Sequence, residues 1–208
     1  MKRRGHVSEM LPLNDEAVRH YIQQKEFTLA LEVLMQQYQG PILRYCYCHL
    51  LNHDSAQEVA QDVFIAAFER MAELRKDSSL NAWLYGIATN KCLEKRRNSS
   101  RRELLCHHNS SLIGQYVHCT PPPSLEDGYI LETQRRRVWQ ALQRLRVYER
   151  QLVVLRYLEE LTYDEIASIV RVSSRTVERH LPRALSKFFK AYERCEKHAI
   201  SRKSRPVG

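Results

Sequence analysis

The sequence predicts an all-α protein of two small helical domains joined by a flexible linker. Apolar residues recur at helical spacing through most of the chain, no stretch alternates as a half-buried strand would, and residues 98–128 lose every period. Length and composition agree. With 208 residues and 43% hydrophobic content, the chain holds one domain or two small cores.

Residues 1–14 read as a basic leader without an apolar run behind it. A first helix is expected at about 15–24 and a second at about 28–38, carrying Leu29, Leu31, Val33, Leu34 and Met35 inward. Gly40 and Pro41 break the pattern, because proline lacks an N–H and is tolerated mainly in a first turn; a third helix, 41–51, starts there. The segment 52–55 offers a cap for a long helix to about residue 74, with Ala56, Ala60, Val63, Phe64, Ala67, Phe68 and Met71 as its core stripe. After a polar loop, Leu80, Trp83, Leu84, Ile87 and Ala88 fall at i, i+3, i+4, i+7 and i+8, which makes Trp83 a core residue. Thr89, Asn90, Arg96 and Arg97 occupy the other side of that helix, in a basic run near Trp83 and Tyr85. Basic residues beside aromatics suit unpaired bases, which stack while their phosphates pair with Lys and Arg.

Ser, His and three consecutive prolines mark 98–128 as the linker, so domains are expected at 15–97 and 129–192, with a basic tail at 193–208. In the second domain Val138, Trp139, Leu142 and Leu145 face inward, and a helix at 149–159 carries Leu152, Val153, Leu155 and Leu158. The stretch 161–185 then reads as two helices around a tight turn. Thr162 and Glu165 form a capping box, Leu161 and Ile166 a hydrophobic staple, and Val172 fills the corner while Ser173 or Ser174 caps the second helix. That helix buries Val177, Leu181 and Ala184, leaving Arg175, Arg179 and Arg183 on the opposite face at i, i+4 and i+8. Greasy behind and arginine-lined in front, it suits a DNA groove.

The formal charge of +9 favours a polyanionic partner. Six glycines form no phosphate-binding loop, and no segment has the length of a membrane span, so a cytoplasmic protein without cofactor or catalytic site is expected. The six cysteines lack paired zinc spacing. Cys46, Cys48 and His49, and Cys106, His107, His108, His118 and Cys119 in the linker, leave a metal- or redox-responsive regulator as one alternative. Another is a stand-alone helix-turn-helix regulator whose first domain is a sensor.

The blocks at 54–64, 82–90 and 155–181, in that order and separated by a linker, resemble the bacterial RNA polymerase sigma factors of the extracytoplasmic-function group. The run 175–181 is similar to members of that group serving iron-siderophore uptake. The resemblance implies partners: core RNA polymerase, promoter DNA and an anti-sigma factor. It implies that Asp54, Glu58, Gln61, Asp62 and Phe64 grip the polymerase clamp. The loop with Arg75, Lys76 and Asn81 would pocket a flipped minus-10 base, and Asn90, Lys91, Arg96 and Arg97 would hold the melted strand. Arg171, Ser174, Arg175, Thr176, Glu178 and Arg179 would read the minus-35 element. Two positions depart from the family pattern. Arg171 stands where glycine is usual, and Pro182 falls inside the recognition helix, so a bend is expected there, with Arg183 and Lys187 on phosphates beyond it.

Overall fold

A computed structural model describes residues 15–75, 78–106 and 129–203, and the side chains of residues 100–106, 129–133 and 197–203 are not described. Every regular element among the described residues is helical. Helices α1 (Asp15–Gln23), α2 (Phe27–Leu50), α3 (His53–Arg70) and α4 (Leu80–Cys106) build the first module, with a 3-10 turn at Met71–Glu73. Helices α5 (Tyr129–Gln143), α6 (Val147–Tyr157), α7 (Tyr163–Val170) and α8 (Ser174–Lys203) build the second.

The expected break at Gly40 and Pro41 is absent, and α2 runs through it. Leu34, Tyr38, Ile42 and Tyr45 form one buried stripe across the proline. Burying those side chains outweighs the single backbone hydrogen bond that Pro41 removes. Two residues after that helix ends, Asn52 caps α3 by accepting a hydrogen bond from the Ser55 N–H at 2.8 Å.

Helix α8 passes through Pro182, the position where a bend is expected, without ending. Val177, Leu181, Ala184 and Ala191 are buried on both sides of it, against α5, α6 and α7. Helices α5 and α6 both pack on α8. Because the helix tolerates Pro182 only through this packing, Pro182→Ala restores the missing backbone donor. It is expected to raise unfolding free energy by about 1–3 kcal/mol, read as a higher urea midpoint at unchanged slope.

Other expectations shift in helix length or by one face. Helix α4 carries on past residue 97 to Cys106, and α8 past 192 to Lys203. Met35, Phe68 and Leu158, expected inside, are 36%, 43% and 37% exposed. Val138, Trp139, Leu142 and Leu145 do pack inward, as do Leu80, Leu84, Ile87 and Ala88, with Trp83 partly buried against the same core.

The two modules are in contact. Helix α7 lies on α4, α6 lies on α2, and one hydrophobic core continues from Ala17 to Ala184. The join has a pronounced polar part. Gln151 of α6 donates to the Tyr45 hydroxyl (3.0 Å) and to Thr89 Oγ1 (3.3 Å), and Trp139 of α5 meets Tyr47 edge to face at 5.3 Å.

Candidate nucleic-acid interface

The helix-turn-helix forms as its residues dictate. Thr162 Oγ1 accepts from the Glu165 N–H at 3.3 Å while the Glu165 carboxylate accepts from the Thr162 N–H at 2.8 Å, which closes the capping box. Leu161 and Ile166 are buried beside it. The turn needs a left-handed residue, and Arg171 supplies it at φ 57°, ψ 49°. A side chain there costs about 1 kcal/mol relative to glycine. Its exposed guanidinium is retained at the corner of the motif. Ser173 caps α8 by accepting from the Thr176 N–H at 3.3 Å.

Val177, Leu181 and Ala184 turn inward, so Arg175, Glu178, Arg179 and Arg183 are exposed along the other face of α8. Ser173, Arg175, Thr176, Glu178 and Arg179 line a shallow depression at the start of the helix. The Ser174 hydroxyl donates to Asp164 of α7, which ties the two helices of the motif together. Lys187 is not a free cation: it pairs with Glu149 of α6. Burial raises the Glu149 carboxyl, but Lys187 and Arg146 outweigh it and hold that carboxyl below its ordinary range.

On the first module, Asn90, Arg96 and Arg97 are exposed along α4 and Lys91 is half-buried. Thr89, expected on that open face, is buried: its hydroxyl donates to the Tyr85 carbonyl at 2.8 Å and lies 2.6 Å from the Tyr45 hydroxyl. Tyr85 is buried too, and its hydroxyl donates to Glu159 of the second module. In this arrangement the aromatic beside the basic track is therefore covered. Arg75 is exposed at the loop, where its carbonyl accepts from Ser78 Oγ at 2.8 Å. Asn81 lies against the Tyr38 hydroxyl, which donates to Asp15 at 2.7 Å. Lys76 lies outside the described residues.

Asp54, Glu58 and Gln61 are exposed on α3 and Asp62 is half-exposed, but Phe64 is 5% exposed and belongs to the core. The apolar part of that face is instead Ile65 (59% exposed) and Phe68 (43% exposed). With Asp54, Glu58 and Gln61 they fall at i, i+4, i+7, i+11 and i+14, one stripe on one side of the helix. Their displacement from the Ala56, Ala60, Val63, Ala67 register is the sequence signal that could have found them, though the sequence reading placed Phe68 in the core stripe and passed over Ile65.

Cys46, Cys48 and His49 are enclosed in the first module, at 0%, 1% and 4% exposure. Burial pushes the Cys48 thiol up to about 12, and a hydrogen bond with Cys46, then burial, raises Cys92. Among the described residues no three His, Cys, Asp or Glu side chains converge as metal ligands. The side chain of Cys106, and His107, His108, His118 and Cys119, lie outside the described residues.

The sequence also gave no notice of how the modules meet. Glu165 accepts from the Ser79 hydroxyl, and Arg171 Nη2 donates to Asn90 Oδ1 at 3.4 Å. Two residues expected on different DNA elements thus touch each other.

A helix-turn-helix with a basic reading face, paired with a module that presents a basic helix beside an acidic-apolar one, defines a two-part nucleic-acid reader that also docks a protein. Residues 34–102 match the family described as sigma-70 region 2, and residues 135–188 match sigma-70 region 4. The chain is 30% identical over 155 residues to RNA polymerase sigma factor YlaC of Bacillus subtilis, covering 74% of this chain and 87% of that one. It is 28% identical over 167 residues to the ECF RNA polymerase sigma-E factor of Escherichia coli K12, covering 77% and 85%. The fold is similar to that of the sigma factor RpoE from Bartonella quintana, solved with the anti-sigma factor NepR, at TM-score 0.63 and 20% identity over 83% of this chain and 98% of that one. It is also similar to CnrH, solved with the cytosolic domain of CnrY, at TM-score 0.58 and 18% identity over 85% and 97%. The chain belongs to the extracytoplasmic-function group of bacterial RNA polymerase sigma factors.

Proposed function

We propose that this chain directs promoter-specific transcription initiation by binding core RNA polymerase and reading two promoter elements, one with each module. The observation that carries the reading is the coexistence, in order, of a sigma-70 region 2 and a region 4 whose α8 exposes Arg175, Arg179 and Arg183. The polymerase performs the chemistry of RNA synthesis, and this chain supplies recognition. It acts in the cytoplasm. Among its described residues no helix is long and apolar enough to cross a membrane.

Ser174, Arg175, Thr176, Glu178 and Arg179 read the minus-35 element from the first two turns of α8, and Arg171 and Arg183 flank them on phosphates. Arg75, Lys76 and Asn81 serve the flipped minus-10 base, and Asn90, Lys91, Arg96 and Arg97 the melted strand. Asp54, Glu58, Gln61 and Asp62 rim the polymerase contact, with Ile65 and Phe68 in the apolar place first given to Phe64. An anti-sigma factor is a further partner, as it is for the similar RpoE solved with NepR.

The division of labour on α8 has a measurable consequence. Arg179→Ala relaxes base choice in the upstream element by about 1–3 kcal/mol at one position. Arg183→Ala weakens binding to all sequences alike and lowers the salt slope by about one. Lys187 is a poorer phosphate probe, because Glu149 already holds it. Binding of the reconstituted holoenzyme to single-substituted promoters across a salt series separates the two effects. The function itself is tested by run-off transcription with purified core polymerase on fragments of the host genome. Discrete start sites that depend on the added chain are expected, and failure to bind core or to initiate anywhere would refute it.

A further inference from the structure

We propose that helix α1 braces the loop between α3 and α4, with Arg19 fixing the two ends of the turn at residues 75–78 and Asp15 fixing Asn81 through Tyr38. Arg19, Asp15 and Tyr38 are then positioning residues for the downstream promoter element, a role that rests on the assignment of this loop to the flipped minus-10 base made above.

Helix α1 lies ahead of residue 34, where the match to region 2 begins. Ala17, Val18 and Tyr21 bury one side of it at 2%, 0% and 4% exposure, which fixes its rotation. That rotation sets Asp15 and Arg19, one turn apart at i and i+4, along one flank of the helix.

Arg19 Nη1 donates to the Arg75 carbonyl at 3.4 Å, and Nη2 donates to the Ser78 carbonyl. A guanidinium is planar and carries its donors in a rigid fork, so taking both carbonyls sets the separation of residues 75 and 78 as well as their orientation. Between them the turn closes on itself. The Ser78 N–H and hydroxyl donate to the Arg75 carbonyl at 3.2 and 2.8 Å. The exposed Arg75 side chain is therefore carried on backbone that Arg19 holds.

Asp15 acts on the other flank of the loop. Its carboxylate accepts from the Tyr38 hydroxyl at 2.7 Å and from Gln37 Nε2 at 3.1 Å, and the same hydroxyl lies against Asn81 Oδ1 in the first turn of α4. Tyr38 is 6% exposed, so its ring cannot swing to follow a displaced Asn81. One short helix thus holds the backbone before the reading segment and the amide after it. A pocket for an extruded base needs such support, because a loop ordered only on binding subtracts from affinity, and a wrong base is rejected only by groups that cannot shift to accept it.

A direct contact between Arg19 and a DNA phosphate is the competing role, and lysine separates the two. Lysine keeps the charge and serves a phosphate as a point cation, but it lacks the fork that spans two carbonyls.

The test uses the full chain, free and bound to core RNA polymerase. In the free chain, hydrogen exchange at the Ser78 amide is expected to quicken about tenfold in Arg19→Ala and in Arg19→Lys. In the holoenzyme, binding is measured to promoter fragments carrying each base in turn at the flipped minus-10 position. The base preference there is expected to fall about tenfold in both variants, while the upstream preference and the salt slope stay as in the wild type. Tyr38→Phe should lower the same preference. Asp15→Asn, which still offers an amide oxygen to the Tyr38 hydroxyl, should retain most of what Asp15→Ala loses. These three variants carry the test if Arg19→Ala loses its helical circular dichroism. Unchanged exchange at Ser78, or a base preference that survives in Arg19→Lys, would overturn the brace. So would an Arg19→Ala protein that binds every sequence more weakly alike with a salt slope lower by about one, the mark of a phosphate contact. A wild-type holoenzyme that initiates without any base preference at that position refutes the loop's assignment and the positioning role with it, whereas no initiation at all defeats the sigma-factor reading; in both cases the exchange rates still decide whether α1 holds the loop.

Discussion

Replacing Ile65 and Phe68 together by glutamate is expected to weaken binding to core RNA polymerase by about a hundredfold or more, because exposed apolar anchors in the centre of a rim of polar residues dominate interface energies. The folded chain should be nearly indifferent. Both side chains already face solvent at 59% and 43% exposure, and surface substitutions of this kind change stability by about 0.5 kcal/mol or less. Fluorescence anisotropy of labelled core against the double variant, beside a urea titration of the variant alone, reads the two quantities separately. A loss of affinity matched by a loss of stability would mean that the pair belongs to the core and not to the docking surface. Phe64→Ala should show the opposite pattern, with a large loss of stability, since it is 5% exposed.

The second large effect is on stability against pH. His49 is enclosed between Tyr45, whose ring lies 4.6 Å away, and the cations Arg150 of α6 and Arg96 of α4. Burial, then Arg150 and Arg96, lowers its pKa to about 3 from the ordinary 6.5. A histidine depressed in the folded state takes up no proton there while the unfolded chain does. Between about pH 6.5 and about pH 3, therefore, the unfolded chain binds more protons and stability falls as the solution is acidified, by up to about 1.4 kcal/mol per pH unit. Above pH 6.5 both states hold a neutral ring and the contribution is flat. His49→Leu removes the titration and two unpaired ring nitrogens, so its stability should equal or exceed that of the wild type at pH 7 and decline less steeply below pH 6. Urea unfolding of the two proteins at a series of pH values checks this, and parallel curves would show that His49 is already solvated.

Much of the fold was legible because its signals are local. The Thr162 and Glu165 capping box, the Leu80 to Ala88 stripe and the inward Val177, Leu181 and Ala184 are each set by residues within two turns, and each was found where the spacing placed it. Pro41 misled for the converse reason. Proline's cost is local and fixed, but whether a helix absorbs it depends on what the flanking stripe buries, and Ile42, Tyr45 and Leu181 are paid back only by partners distant in sequence. Phe64 and Ile65 show the same limit at a single residue: on a helix with a broad apolar face, one position of rotation separates core from surface, and neighbouring helices decide which is which. The join between the modules was invisible. Gln151, Glu159 and Glu165 look like ordinary solvent-facing polar residues until the second module is laid against Tyr45, Ser79, Tyr85 and Thr89.

In the proposed function one chain reads two separated DNA elements with two modules on one polymerase. The most direct measurement is selection of initiating sequences from a randomised promoter library with reconstituted holoenzyme, in parallel for the wild type, Arg179→Ala and Asn90→Ala. Two preferred blocks at a constant spacing are predicted, with Arg179→Ala relaxing only the upstream block and Asn90→Ala only the downstream one. A single block, or both variants relaxing the same positions, would contradict it.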